Sequence, residues 1–131
     1  MGDYMQPDEK YQIDVSVKTK YVASQSDPTL NRYIFAYTVT IKNSGTVPAQ
    51  LLTRHLVITD SHEKTQEVRG EGVTGEQPHL MPGAHFQYTS GTVIGTPVGT
   101  MGGSYRFRAD DGTEFEAKIP EFVLSTPRTL H

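Results

Sequence analysis

A chain of 131 residues with 35% hydrophobic and 21% charged side chains can bury one core and falls outside the composition of disordered or fibrous proteins. Twelve basic residues against fifteen acidic ones leave a net charge of -3, with no run of Lys or Arg to track a phosphate backbone, so nucleic acid is excluded as the expected partner. The absence of Cys excludes a disulfide framework and a thiolate metal site, and nothing marks adaptation to an oxidising compartment.

Residues 1–10 carry Asp3, Asp8 and Glu9 and have no apolar centre, which predicts a flexible N-terminus rather than a signal peptide. No stretch approaches the ~20 apolar residues of a membrane span, so no membrane contact is expected and the predicted location is cytoplasmic. The first strand signal puts Ile13, Val15 and Val17 on one side and Asp14, Ser16 and Lys18 on the other. The clearest alternation runs over residues 33–42, where Tyr33, Phe35, Tyr37, Val39 and Ile41 share a parity and Thr38, Thr40 and Lys42 occupy the wet face. Further strands are predicted over residues 51–60, 65–69, 84–89, 104–109 and 113–119. Asn43-Ser44-Gly45, Asp60-Ser61-His62, Met81-Pro82-Gly83 and Asp110-Asp111-Gly112 supply the turns between them. A flexible tail is expected at 127–131, which leaves one domain over 11–126.

About seven short strands without an amphipathic helix predict an all-β fold, an antiparallel sandwich of the immunoglobulin or fibronectin-III type. Cys and Trp, hallmarks of antibody domains, are both missing. At the C-terminal hairpin the parity argument selects a register. A two-residue turn at Asp111-Gly112 would set Arg108 against Phe115, whereas a three-residue loop, Asp110-Asp111-Gly112, pairs Phe107 with Phe115, Arg106 with Glu116 and Arg108 with Glu114. The second choice buries both Phe rings and calls for a left-handed Gly112.

Four blocks, NRYIFAYTVTI (31–41), VRGEGVTG (68–75), FQYTSG (86–91) and TPVGTMGGSY (96–105), occur in this order. Together they resemble the ApaG family over nearly the whole chain. The resemblance implies a fibronectin-III-like sandwich in a small bacterial protein, often encoded beside a diadenosine polyphosphate hydrolase and linked to cobalt tolerance and magnesium efflux. It also implies relatives in eukaryotes that serve as protein-interaction modules, some in F-box proteins. One departure is Leu56, which follows His55 where the family usually has Trp. Leu52 and Ile58 share its parity, so Leu56 is expected to fill core space with the fold unchanged.

Gly70, Gly72 and Gly75 form a GxGxxG string. In a dinucleotide-binding fold such glycines admit a pyrophosphate to a helix N-terminus. Here Pro78 and Pro82 block a following helix, and no Asp or Glu between Gln77 and Ala109 is available for a ribose hydroxyl. The expected role is a sharp loop between two sheets, and the alternative is an anion-binding loop of Arg69, Gly70, Gly72 and Gly75. The histidines His55, His62, His79, His85 and His131 have no familiar zinc spacing and are expected to be exposed or capping residues. No metal or cofactor is predicted, although Asp60, Glu63, Glu71 and Glu76 would suit Mg²⁺ if folding gathered them.

Catalytic chemistry is not predicted, because Ser90 lacks the nucleophile-elbow context and Glu114 and Glu116 lie two apart on the solvent face of one strand. Residues 77–109 contain no acid and are rich in Gly, Ser and Thr, which predicts a long crossover lying against the sheet. Its functional reading is a contact surface of Thr89, Ser90, Thr96, Gly99, Thr100, Gly102 and Gly103, with Arg69, Arg106 and Arg108 as charge partners. The function expected is thus a non-enzymatic binding or regulatory module for a protein partner, with only an indirect link to metals. The alternative is a sensor of a pyrophosphate-containing nucleotide, another anionic small molecule, or a divalent cation.

Overall fold

Alternating side chains satisfy two environments at once only when strands are laid into sheets with one face covered, and the structure, a computed structural model describing residues 7–127, does this twice. Eight strands are present among the described residues: β1 (Ile13–Tyr21), β2 (Tyr33–Asn43), β3 (Ala49–Asp60), β4 (Thr65–Glu71), β5 (His79–Leu80), β6 (His85–Ile94), β7 (Val98–Ala109) and β8 (Glu114–Ser125). One sheet has the order β1-β2-β6 and the other β4-β3-β7-β8, with the short β5 continuing the β4 edge beside β3. All pairings are antiparallel, and the two sheets form an all-β sandwich.

The inner layer is the set the alternation predicts for β2, where Phe35, Tyr37, Val39 and Ile41 are buried. Opposite them lie Leu51, Leu56 and Ile58 of β3, Met101, Tyr105 and Phe107 of β7, and Ala117, Ile119 and Leu124 of β8. Full burial of a ring such as Phe107 contributes about 1.5–3 kcal/mol.

Two β-bulges reset the parity along the way. In β3 the register shifts between Leu51 and Thr53, so Leu52 is the extra residue and the core-facing positions change from odd to even. Leu56 does fill the core, but Leu52 is only half-buried and does not share its inward face. In β8 the extra residue lies at Pro120–Glu121, opposite Gly102, and turns Leu124 inward and Val123 outward. Pro120 lacks an N–H and sits where a sheet tolerates it, at a bulge in an edge strand.

The C-terminal hairpin has the three-residue loop. Phe107 pairs with Phe115, their rings stack at 5.7 Å, Ala109 N–H bonds the Thr113 carbonyl at 2.8 Å, and Gly112 has φ of 91°. Arg106 stands opposite Glu116 yet bonds diagonally to Glu114, Nε to Oε1, at 2.9 Å.

The long crossover expected over 77–109 is not there. β6 continues to Ile94 and β7 begins at Val98, so only Gly95, Thr96 and Pro97 connect them. The glycines that lower strand propensity in this stretch allow close approach of neighbouring strands instead. At the ends, the flexible N-terminus expected over 1–10 includes Pro7–Lys10, which form one helical turn. Thr126 N–H bonds the Pro97 carbonyl at 3.1 Å. The remaining expectations for the termini, residues 1–6 and 128–131, lie outside the described residues.

Candidate functional site

The outer face of the larger sheet is built in rows across β3, β7 and β8. Thr59, Thr100 and Val123 make one row, and Val57, Gly102 and the Pro120–Glu121 bulge make the next. His55, Ser104 and Lys118 follow, then Thr53, Arg106 and Glu116. The first two rows are mostly uncharged and the last two are polar, so chemistry changes along the strands.

Gly102 puts no side chain on the floor of its row, and the bulge lifts Pro120 and Glu121 beside it. The result is a trough of about 460 Å³ bordered by Val57, Thr100, Ile119 and Pro120, with Lys118 and Glu121 at the rim. Val123, 57% exposed, and Val98, 44% exposed, extend the apolar surface beyond it. An ideal Cβ on Gly102 would meet nothing closer than 3.5 Å, so the trough is empty because of the sequence and not because of crowding.

Farther along the same face, His55 Nε2 lies 2.7 Å from Glu67 Oε1, and Arg69 reaches the same oxygen at 3.4 Å. The hydrogen bond and charge of His55, followed by Arg69, hold the exposed Glu67 carboxyl below the usual carboxylate range. His55 and Arg69 border a smaller polar dent of about 180 Å³ with Thr53, Ser104, Arg106 and Glu116.

The GxGxxG string is divided among three structural tasks. Gly70 belongs to β4 and lies beneath the guanidinium of Arg54, whose Cζ would stand 2.9 Å from a Cβ there. Gly72 has φ of 62° and sends its N–H to the Leu52 carbonyl at 2.8 Å, while Thr74 and Gly75, both with positive φ, form the tip of a two-residue turn. Val73 and Glu76 exchange backbone hydrogen bonds at 2.8 and 2.9 Å around that tip. Arg54 donates to the carbonyls of Glu71 and Gly72 at 3.1 and 2.9 Å. The N–H groups of Gly72, Val73 and Glu76 are therefore spent on protein acceptors. Arg69 meets Gly70 and Arg54 only in a shallow dent of about 370 Å³ that also holds Glu71.

The seven residues read as a contact surface do not converge. Thr100, Gly102 and Gly103 border the trough, but Thr89 lies on the outer face of the other sheet, bonded to Thr38 at 2.8 Å. Ser90 is half-buried, and Thr96 is buried with its hydroxyl spent between Ser61 N–H at 3.1 Å and the Val98 carbonyl at 2.7 Å. Gly99 and Gly103 are close-approach sites: Cβ atoms there would come within 2.7 Å of the Thr59 carbonyl and 2.0 Å of the His55 carbonyl. Arg108 stays exposed beside Glu114 in register. The sequence reading missed Val57, Lys118, Pro120, Glu121 and Val123. Of these only Pro120, a proline inside a strand-like run, signals a bulge.

Among the described residues no group of three or more His, Asp or Glu side chains is placed to hold a metal ion. Asp60 accepts from the N–H groups of His62 and Lys64 at one end of β3, while Glu71 and Glu76 lie toward the other end. His79 pairs with Asp110 at 2.8 Å, His85 is exposed, and His131 is outside the described residues. No helix among the described residues is long and apolar enough to cross a membrane.

The sequence profile of the ApaG domain matches residues 23–109, the span from the turn before β2 to the end of β7. Protein ApaG of Thiobacillus denitrificans is 60% identical over 122 residues, covering 93% of this chain and 96% of its own. Protein ApaG of Dechloromonas aromatica is 59% identical over the same shares. A crystal structure from Bordetella pertussis, named for an ApaA protein, superposes with a TM-score of 0.89 at 52% identity and covers 92% of this chain and 98% of that one. With the ApaG domain matched over residues 23–109 and relatives covered over nearly their full lengths, the chain belongs to the ApaG family.

Proposed function

We propose that this protein is a non-enzymatic, cytoplasmic binding module whose trough on the outer face of the larger sheet receives an apolar side chain from a segment of a partner protein. The observation that carries the reading is the trough itself, about 460 Å³, floored by Gly102 and continued by exposed Val98 and Val123. Apolar surface rimmed by polar groups is the common form of a protein-binding patch. Lys118 and Glu121 place opposite charges at the rim and would select flanking residues on the partner. The metal phenotypes that the family resemblance implies are then indirect effects of the partner. The sensor reading draws less support, because the N–H groups of Gly72 and Val73 already have backbone acceptors.

The test is affinity capture from the native lysate with wild-type protein and with Gly102→Val, each with and without Mg²⁺ and diadenosine polyphosphate. A Cβ at this position meets nothing closer than 3.5 Å, and the valine side chain would project into the trough and narrow it. A partner held by the wild type and lost with Gly102→Val, regardless of metal or nucleotide, is expected. Capture that requires the nucleotide, or that ignores Gly102→Val, overturns the reading.

A further inference from the structure

An open sheet edge presents unpaired N–H and C=O groups, and proteins guard such edges with charge, proline, bulges or short length. Three of the four edges here are guarded. β1 carries Asp14, Lys18 and Lys20, β4 is seven residues long with Glu67, Arg69 and Glu71, and β8 carries Pro120 and its bulge. β6 has none of these devices. Its ten residues, HFQYTSGTVI, contain no Asp, Glu, Lys, Arg or Pro, and among the described residues it pairs on one side only, with β2.

The direction of its free groups follows from the ladder. Asn43 N–H bonds the Ala84 carbonyl at 2.9 Å, so even-numbered residues of this strand spend their backbone groups on β2 and odd-numbered ones aim theirs outward. The Val93 carbonyl agrees, since the Gln66 side-chain amide takes it from that side at 3.3 Å. His85, Gln87, Thr89 and Gly91 therefore form an outward-facing donor and acceptor row, and all four residues are exposed.

We propose that this edge pairs with the same edge of a second copy, antiparallel and with Thr89 against Thr89, joining two three-stranded sheets into one. This register matches Gln87 with Gly91 on both sides of the two-fold axis, so the outward groups of three residues on each strand meet one another. The strand itself points to a second copy as the occupant. His85–Ile94 carries no Asp, Glu, Lys or Arg, so two copies of this edge meet with no like charges opposed across the pair. The trough is not used, and the proposal stands independently of the protein-binding reading.

Sedimentation velocity of the full chain from micromolar to hundreds of micromolar tests it. The expected result is a concentration-dependent dimer that Thr89→Lys and Gly91→Lys each weaken by about tenfold or more, because the first sets like charges opposite each other at the two-fold axis and the second adds a charged neighbour to Gln87 across the pair. Thr89 is exposed, and a Cβ at Gly91 would meet only the Phe35 carbonyl at 3.5 Å, so both variants should fold with unchanged circular dichroism. Val123→Asp on the opposite sheet should leave the dimer intact. Amide exchange at Gln87, Thr89 and Gly91 should slow as concentration rises. A monomer throughout the range, or a dimer indifferent to both lysine variants, overturns the proposal. So does a monomer whose β6 variants lose a different protein instead, since the edge then serves another occupant.

Discussion

The hydroxyls of Tyr88 and Tyr105 lie 2.5 Å apart inside the sandwich, each the other's partner. Burial, above all, raises both phenols beyond the ordinary tyrosine range, and for Tyr105 the neighbouring Tyr88 raises it further. Both stay neutral at physiological pH. Because the folded values are raised, this contribution to stability is present below the ordinary tyrosine pKa and falls away as pH climbs beyond it. Replacing one ring by Phe strands the other hydroxyl, so Tyr88→Phe and Tyr105→Phe should each cost about 1–3 kcal/mol. The double variant should cost less than their sum, and urea unfolding of all four proteins reads the coupling. At the surface, Asp111 is held below the usual carboxylate range first by the Tyr11 hydroxyl at 2.7 Å and then by Thr113 N–H at 2.9 Å. A depressed folded pKa contributes stability above the ordinary carboxylate value and loses it as pH falls through the depressed one. Tyr11→Phe should therefore raise the Asp111 titration midpoint toward the ordinary range, and a midpoint unchanged by carboxyl NMR would remove Tyr11 as the cause.

At the level of elements, β7 is bordered by the two strands that bulge, and its glycines divide the labour. Gly103 has φ of 138° and a Cβ there would stand 2.0 Å from the His55 carbonyl, whereas a Cβ on Gly102 would meet only ordinary contacts, the nearest at 3.5 Å. Gly103→Ala should then cost about 2–4 kcal/mol through strain and overpacking, and Gly102→Ala should stay within about 0.5 kcal/mol. Thermal unfolding of the pair separates a glycine that the fold requires from one that leaves the trough empty. Equal losses would mean that Gly102 is structural too. The hairpin of β7 and β8 could be derived from parity, because its loop is local and only one register buries both Phe107 and Phe115. The diagonal Arg106–Glu114 pair could not, since an exposed ion pair chooses its partner by rotamer and is worth only about 0–1 kcal/mol.

For the whole molecule, the two surfaces singled out lie on different sheets, so loss of partner capture with Gly102→Val and loss of dimer with Thr89→Lys should be separable. Local pattern was enough to predict the β character, the buried face of β2, the C-terminal hairpin and, through four sequence blocks, the family. These depend on the period-two alternation of a strand and on short turns, both of which are local. It was not enough for the continuation of β6 and β7 through a glycine-rich stretch, the shift of parity at Leu52, or the trough beside Pro120. Those depend on which strand lies beside which: a bulge exists only relative to its partner, and the emptiness above Gly102 exists only because β3 and β8 flank it. The same holds for the exposed edge of β6, whose neutral composition was visible in the chain but whose lack of a second neighbour among the described residues was settled by the order of the strands in the sheet.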